Sequence, residues 1–582
     1  MVEATRRIAP TRGQAMVGSG SGRARPEVRA RSGLASSWAG WLLGVLVPLS
    51  CVTVVPGRPE AAPETGAVAL PSDASTALEA RAPTPATPPD AGPASDPEAA
   101  LTPPPSLSWR VTDDATGESI PAKLTVIGVE GTADPTLDAS ALDLARPDDG
   151  YAAHDRIFTL SGAGGVTLPA GTYEVWVTRG VEWSHHAERV VIGAEPVRVD
   201  ARLSHVIDTE GWLSADLHVH ATPSHDSNVP LPVRVMQFIS EGVEMIVATD
   251  HNVITDYEPT IEQLEVTDLL ASAAGCEVTT PTFGHFGSYP LVRDASRGDG
   301  GAPAVDGVLP EALFDSIRAA SPRATIAVNH PTWGDRDYFN RAGLDAATAT
   351  AAWKDFSWKF DAIEVLNGFH DPQRGLLDRN LGEFFALIEH GYIKTATGNS
   401  DTHSLRLNIG GYPRNYLRIS RDDPAEMTPE LLGEGIRKGR SFFTTGPFVR
   451  LRVEGGDIGD TVQANHGWVS VDIEVNATTW VSAQTVTLFV GGRIDRIWRL
   501  PPKRARATFG FAGPLRWTAR RVVPIDQDTH VTLLVEGDES LWPVVGERDE
   551  HVVTALAFTN PVWVDADGNG RYDAPLAPRD SE

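Results

Sequence analysis

The stretch Trp212-Leu-Ser-Ala-Asp-Leu-His-Val-His220 predicts a β-strand that ends in a pair of metal ligands. Side chains alternate along a strand, so we expect Asp216, His218 and His220 on the same face. Two imidazoles on one face can bind one divalent ion, and the nearby carboxylate can join them or orient them. A lone pair of this kind is weak support for a metal site, so the segments that follow decide its meaning.

Four further apolar runs along the chain end in residues that bind metals. Each is typical of a buried strand, and His, Asp or Glu follows it. In chain order these residues are Asp250 with His251, Glu277 with His285 shortly after it, His330, and Asp401 with His403. Where strands alternate with helices, the carboxyl ends of parallel strands meet at one edge of the sheet, and active sites lie there. The five clusters therefore predict one site that holds several metal ions.

These segments resemble the successive motifs of the PHP (polymerase and histidinol phosphatase) metallohydrolases. The matching motifs are Asp-Leu-His-Val-His, Ala-Thr-Asp-His-Asn, Gly-Cys-Glu with a following Gly-His-Phe, Asn-His-Pro, and Gly-Asn-Ser-Asp-Thr-His. Segments 221–230, 411–414 and 439–447 are similar to the CehA/McbA type, which is named for carbaryl hydrolases. The resemblance covers about residues 206–455 and implies an α/β fold, an irregular (β/α)7 barrel.

The resemblance also implies which residues bind which ion. It assigns one ion to His218, His220, Glu277 and Asp401, and a second to Glu277, His285 and His330. A third would bind His251, His403 and either His225 or Asp226, and the local Asp-Ser-Asn-Val-Pro pattern favours Asp226. Asp401, Glu277, His251 and His403 are the implied catalytic residues. Mixed imidazole and carboxylate ligands are compatible with Zn, Mn or Fe.

The expected function is that of a metal-dependent hydrolase, in which metal-activated water attacks a small-molecule ester. The metals would stabilise a phosphate ester and a carboxyl or carbamate ester alike, so a phosphoesterase is one alternative. A cell-surface binding module with structural metals is an alternative from another class. The formal net charge of −27 argues against a nucleic-acid partner, because phosphate backbones require a basic surface.

The N-terminal residues 1–51 are predicted to be an export segment, because basic residues precede a short apolar stretch at 38–47. Small residues before Cys51 resemble a bacterial lipoprotein signal; a plain signal peptide and a single-span anchor are the alternatives. Residues 52–105 are rich in Pro, Ala, Glu and Asp and predict an extended linker. We therefore expect the protein in the bacterial cell envelope or secreted, and in contact with a membrane only through an N-terminal anchor or lipid.

The sequence on both sides of the metal-ligand region is β-rich. Short alternating strands between Gly, Pro and Asp turns predict a β-sandwich over 106–205 and a further β-rich region over 456–582. Near its end, the first, third, fifth and ninth positions of a calcium loop are matched by Asp565, Asp567, Asn569 and Asp573. The twelfth position is Leu576 and not the usual Glu. A weak calcium site and a plain polar turn are both consistent with this loop.

Overall fold

The computed structural model describes residues 106–368, 373–407, 409–419, 423–501, 513–548 and 551–577. The predicted export segment at 1–51, its Cys51 and the predicted linker at 52–105 lie outside these residues. Among the described helices, none is long and apolar enough to cross a membrane.

Residues 107–203 form two sheets around one apolar core. Their strands are β1 (Leu107–Asp113), β2 (Ala122–Val129), β3 (Leu142–Asp143), β4 (Gly150–Ala153), β5 (Arg156–Thr159), β6 (Ala163–Val166), β7 (Gly171–Thr178), β8 (His186–Ile192) and β9 (Val197–Leu203). One sheet has the order β3-β6-β1-β9 and the other β4-β5-β2-β7-β8. In β9, Val199, Ala201 and Leu203 are buried and the residues between them are exposed, so alternate side chains fill the core.

The middle of the chain alternates strands with helices. Its strands are β10 (Trp212–Val219), β11 (Met245–Ala248), β12 (Ala271–Ala273), β13 (Cys276–Thr279), β14 (His285–Tyr289), β15 (Thr325–Val328), β16 (Leu344–Asp345), β17 (Thr350–Ala351), β18 (Ala362–Asn367) and β19 (Thr395–Asn399). Its helices are α1 (Leu231–Ser240), α2 (Glu258–Gln263), α3 (Pro310–Ala320), α4 (Tyr338–Ala342) and α5 (Gln373–Glu389). In α1, Val235, Phe238 and Ile239 recur at helical spacing and pack in one cluster with β11.

The C-terminal strands extend one central sheet and add another. They are β20 (Arg414–Arg418), β21 (Ser441–Thr444), β22 (Phe448–Val453), β23 (Gly456–Asp457), β24 (Thr461–Gln463), β25 (Trp468–Asn476), β26 (Thr485–Val490), β27 (Arg493–Arg499), β28 (Leu515–Pro524), β29 (Thr529–Ser540), β30 (Thr554–Thr559) and β31 (Val562–Asp565), and α6 (Pro429–Arg437) follows β20. Three single-turn 3₁₀ helices cover Ala139–Ala141, Pro147–Asp149 and Pro424–Glu426. An eleven-stranded sheet has the order β12-β11-β10-β20-β21-β30-β29-β26-β27, with β24 and β31 paired at its side, and β23-β22-β25-β28 form a separate sheet.

The predicted (β/α)7 barrel is wrong, and so is the α/β class. The parallel strands β10, β11 and β12 belong to the eleven-stranded sheet, whereas β13-β14-β15-β18-β19 form a second, five-stranded sheet. β14 is antiparallel to both of its neighbours, and β20 is antiparallel to β10. The described residues form six sheets and six α-helices, so the fold is mostly β. A pattern of alternating strands and helices does not specify which strand edges pair, and pairings such as β10 with β20 join residues about 200 positions apart in the chain.

Candidate metal centre

The nine side chains predicted as metal ligands lie together where the two central sheets meet. Isolated bridges join His251 to Glu277 and Val219 to Thr402 at this junction. The nine residues are His218 and His220 at the end of β10, Asp226 in the next loop, His251 after β11, Glu277 in β13, His285 at the start of β14, His330 after β15, and Asp401 and His403 after β19. Strand ends from both sheets therefore supply the site.

Ligand atoms within 4.8 Å of one another form three groups that can hold a metal ion. The groups are His218 with His220 and Asp401, His251 with Glu277 and His285, and His220 with Asp226, His251 and His403. In the first group, Asp401 Oδ1 lies 3.2 Å from His218 Nε2 and 3.1 Å from His220 Nε2. His330 belongs to none of the three groups.

Glu277 lies at the centre of the cluster and is 1% exposed. Its Oε1 is 3.1 Å from His218 Nε2 and 3.3 Å from both His285 Nδ1 and His330 Nε2. Its Oε2 is 2.9 Å from His251 Nδ1. One carboxylate thus faces imidazoles from both sheets, which is the geometry expected of a ligand shared between neighbouring ions.

Asp226 contacts the outer histidines of the cluster, and His225 does not enter any of the three groups. Asp226 Oδ2 lies 3.0 Å from His251 Nε2 and 3.1 Å from His403 Nε2. The exposed His225 ring centre is 4.9 Å from that of His251. The sequence leaves open whether His225 or Asp226 is the ligand. In the structure, the Asp226 carboxylate lies against the other ligand atoms of this group.

Several ligand atoms in this cluster are buried without a hydrogen-bond partner. They are His220 Nε2, His285 Nδ1, Asp401 Oδ1 and His403 Nε2, and each lies 3.1 to 3.3 Å from another ligand atom of the cluster without hydrogen-bond geometry. Buried polar atoms are almost always hydrogen-bonded, so a group of unpaired ones at a single place requires an explanation. Imidazole nitrogens and carboxylate oxygens are ligands for divalent transition metals. A cation would provide the missing partner, and the residues present therefore fit a metal centre.

Charge within the cluster keeps its carboxylates ionised. Burial by itself would raise the pKa of Asp401, but the nearby imidazoles of His218 and His220 hold that pKa well below its usual range. Burial likewise opposes ionisation of Glu277, and the surrounding histidines again lower its pKa well below its usual range. Burial lowers the pKa of His220 to about 4, so this ring is neutral at ordinary pH and its lone pair can bind a metal.

The backbone is held in unusual conformations at two of the ligands. Asp401 has φ 49° and His330 has φ 28°, a region that side-chain-bearing residues seldom adopt. Such strain persists only where the surrounding structure enforces it, and it clusters at functional sites. Each residue lies two positions after the end of a buried strand, which is consistent with ligands positioned by a rigid frame.

A set of polar residues behind the ligands did not stand out in the sequence. Glu364 is fully buried and accepts a hydrogen bond from His218 Nδ1 at 2.9 Å. Asn329 donates to Glu277 Oε1 at 2.8 Å, and Asn367 donates to Asp401 Oδ2 at 3.0 Å. Asp337 Oδ1 lies 3.5 Å from His330 Nδ1. The available signal was the acid inside the apolar run Ala362-Ile-Glu-Val-Leu-Asn367, where a charge is costly unless it has partners.

Asp216 has a different role from the histidines that follow it. Its oxygens accept backbone hydrogen bonds from His218, Ser400 and Gly411, and it belongs to none of the three ligand groups. It thereby holds the end of β10 against the loops after β19. Cys276, beside the central Glu277, is fully buried in an apolar cluster, and burial raises the pKa of its thiol.

The Asp-rich loop near the C-terminus forms a second, smaller cluster. Asp565 and Asp567 group with Asp528, which the calcium-loop spacing did not include, as residues that can hold a metal ion. Asn569 and Asp573 are outside this group, and Asn569 Nδ2 donates to Asp573 Oδ2 at 2.7 Å and to Asp567 Oδ2 at 3.3 Å. Leu576, at the twelfth position, is 55% exposed.

Comparisons with known proteins neither identify a family nor carry an argument about function. No protein-family model matches the chain, and no curated protein matches it. Similar solved structures include the CARDB domain of a Pyrococcus furiosus protein, with 16% identity, a TM-score of 0.13, and coverage of 21% of this chain and 97% of that domain. A crystal structure of that domain in complex with di-metal ions has 16% identity, a TM-score of 0.12, and coverage of 21% and 96%. The apo structure of Bacteroides uniformis beta-glucuronidase 3 has 10% identity, a TM-score of 0.17, and coverage of 76% of this chain and 59% of that one.

Proposed function

We propose that this chain is a metal-dependent hydrolase that cleaves ester bonds with two or three divalent ions. The observation that carries the proposal is the meeting of imidazoles and ionised carboxylates whose buried ligand atoms lack other partners. The resemblance of residues 206–455 to the PHP metallohydrolases, and to their CehA/McbA type, supports it. That resemblance lies in short sequence motifs, and the proposed activity requires the ligand cluster and not a (β/α)7 barrel.

The charge and position of each ligand residue indicate its role in the proposed reaction. Glu277 and Asp401 would neutralise neighbouring cations, since both carboxylates face several imidazoles and stay ionised. When bound, such ions lower the pKa of water and stabilise the negative charge that develops on an ester oxygen. His251 and His403 would accept the proton of the attacking water if no ion occupies the group that contains Asp226.

The ligand set is compatible with several metals and with both classes of ester. Mixed nitrogen and oxygen ligands suit Zn, Mn or Fe, and ligand type alone does not separate these ions. The same cluster would stabilise attack on a carboxyl or carbamate ester and on a phosphate ester. The CehA/McbA likeness makes the carboxyl or carbamate ester our first choice. We further propose, from the pattern of residues 1–51, that the enzyme is exported to the cell envelope or secreted.

A metal count combined with an ester panel tests this function. The full chain would be reconstituted with Zn, Mn or Fe, and its rates measured on one chromogenic aryl phosphate and one chromogenic aryl acetate. We expect two or three bound equivalents and turnover of at least one ester. His225→Ala is a matched control, because His225 is adjacent to Asp226 and outside the ligand groups. Bound metal without turnover of either ester would favour a binding module with structural metals.

A further inference from the structure

A second layer of polar residues lies behind the ligands, and Glu364 is at its centre. This side chain is in β18, is fully buried and accepts four hydrogen bonds. Oε1 accepts from His218 Nδ1 at 2.9 Å and from Asn399 Nδ2 at 2.9 Å. Oε2 accepts from the backbone N–H of His330 at 2.8 Å and from Asn367 Nδ2 at 2.8 Å. A buried carboxylate with this many donors is tightly constrained.

The contact with His218 decides which of its ring nitrogens can bind a cation. Both oxygens of Glu364 already accept from amide N–H groups, so the proton shared with His218 is carried by Nδ1. Nε2, on the other side of the ring, lies 3.1 Å from Glu277 Oε1 and 3.2 Å from Asp401 Oδ1. The lone pair that binds a cation is therefore on the side that faces the other ligands.

Glu364 also connects ligands that come from different strands. It holds the backbone of His330, which follows β15. Asn367 donates from the same Nδ2 to Glu364 and to Asp401 Oδ2, which follows β19. Asn399, in β19, accepts from the backbone N–H of Leu217 in β10 at 3.3 Å while it donates to Glu364. One side chain thus ties together the ends of three ligand-bearing strands.

We propose that Glu364 is the positioning residue of the metal centre. It fixes the tautomer and ring orientation of His218 and holds His330 and Asp401 in place without contacting substrate. The inference rests on the proposed metal-dependent function. Partners that orient metal ligands in this way typically change metal affinity about 10- to 100-fold when they are mutated. Glu364 should therefore control how tightly this cluster binds metal.

The substitution Glu364→Gln removes the charge and keeps the size of the side chain. The NH₂ group of the glutamine would then face hydrogen-bond donors, either the His218 ring or the N–H groups of Asn367 and His330. The hydrogen bonds on that side of the side chain would be lost. Asp361→Asn is the matched control. Asp361 directly precedes β18, accepts from Arg318 and from the backbone of Ile326, and contacts none of the ligands. Both substitutions remove a carboxylate from the same part of the chain.

The experiment measures metal affinity by competition with a chromogenic chelator, using zinc, and records the visible spectrum of the cobalt(II)-substituted full chain. We expect Glu364→Gln to weaken affinity about 10- to 100-fold and to shift the cobalt bands, and Asp361→Asn to change neither. Circular dichroism and the melting temperature of the metal-free proteins check folding. Native affinity and an unshifted spectrum in a folded Glu364→Gln protein would overturn the inference, and so would an equal loss in Asp361→Asn.

Two further variants test the positioning role of Glu364 if Glu364→Gln does not fold. Glu364→Asp keeps the charge but shortens the side chain by one methylene. Asn367→Ala removes the hydrogen bonds from Asn367 to Glu364 and to Asp401, and it leaves the contact between Glu364 and His218 in place. A smaller loss of affinity in each supports the inference, and native affinity in both overturns it. A wild-type chain that binds metal but cleaves neither ester would contradict the proposed hydrolase and leave the role of Glu364 measurable. A wild-type chain that binds no metal would overturn both.

Discussion

Among the described residues, side chains that could hold a metal ion group at two places, at the strand ends that meet around Glu277 and in the loop at 565–573. Around Glu277, the acids face imidazole rings, and several buried ligand atoms have no hydrogen-bond partner. In the loop, Asp565 Oδ1 accepts from the backbone N–H groups of Gly568 and Asn569, and its Oδ2 accepts from Gly570. Asp528 similarly accepts from the backbone of Ala566 and Asp573.

The difference lies in what each cluster needs in order to be stable. The carboxylates of the loop already have backbone donors, so the turn is satisfied by its own chain. In the strand-end cluster, buried nitrogen and oxygen atoms of the ligands lie against one another without forming hydrogen bonds. Clustered acids alone therefore do not indicate a metal site, and the partners of their oxygen atoms are the more informative feature.

The largest effect should come from removing a ligand of the buried cluster. His218→Ala should lose most of the bound metal and of the activity, because its Nε2 faces both Glu277 and Asp401. Elemental analysis of the purified protein measures this, with His225→Ala as the control that keeps its metal. Fewer than one equivalent of metal per chain in the reconstituted wild type would contradict a centre of several metal ions. It would also remove the proposed difference between the two clusters.

A second prediction separates charge from shape in the same cluster. Asp401→Asn and Glu277→Gln should fold but lose turnover by about 100-fold or more, since an amide cannot supply the negative charge that holds the cations. Steady-state kinetics and metal analysis measure the change. Glu383→Gln is the control, because Glu383 is a buried carboxylate that pairs with Arg379 outside the ligand groups. Near-native rates in both ligand variants would remove these carboxylates from the metal centre.

A third prediction concerns a buried charge that has backbone hydrogen-bond partners, as the carboxylates of the loop do. Lys394 Nζ donates to the carbonyls of Trp358 and Phe360, and burial lowers its pKa to about 8. The unfolded chain keeps this proton up to about pH 10.4, so it binds more protons than the folded chain between those values. The stability of the wild type relative to Lys394→Met should therefore rise with pH from 8 to 10, by at most about 1.4 kcal/mol per unit. Urea unfolding of both proteins across this range measures the difference, and a flat difference would mean that the carbonyls keep the amine protonated.

The smallest effect is expected from calcium at the loop. With the strand-end metal held fixed, calcium at about ten times its Kd would stabilise the fold by about 1.4 kcal/mol. Chelation should lower the melting temperature by a few degrees, and Asp567→Ala should abolish that dependence and leave the catalytic rate unchanged. Differential scanning calorimetry with and without millimolar calcium provides the measurement. A wild-type curve that ignores calcium would reduce the loop to a polar turn.

The candidate ligands could be named from the sequence because their signal is local. Most follow a short apolar run, as His251 follows β11 and His330 follows β15, and the resemblance of the short motifs to the PHP metallohydrolases implied the rest of the set. The barrel could not be inferred in the same way. Its prediction failed because β14 pairs antiparallel with β13 and β15, and because β10 takes an antiparallel partner, β20, from much later in the chain.

Local sequence therefore indicated which residues are candidate metal ligands and the strands near which most of them lie. Long-range packing determined which residues from distant parts of the chain contact one another. It placed Glu364 behind His218, added Asp528 to the C-terminal loop, and divided the central strands between two sheets. The physical reason is that a strand end is recognised from side chains a few residues apart, whereas a hydrogen bond such as that from His218 to Glu364 joins residues 146 positions apart. The residues next to His218 and Glu364 in the sequence do not indicate this contact, which forms only in the folded chain.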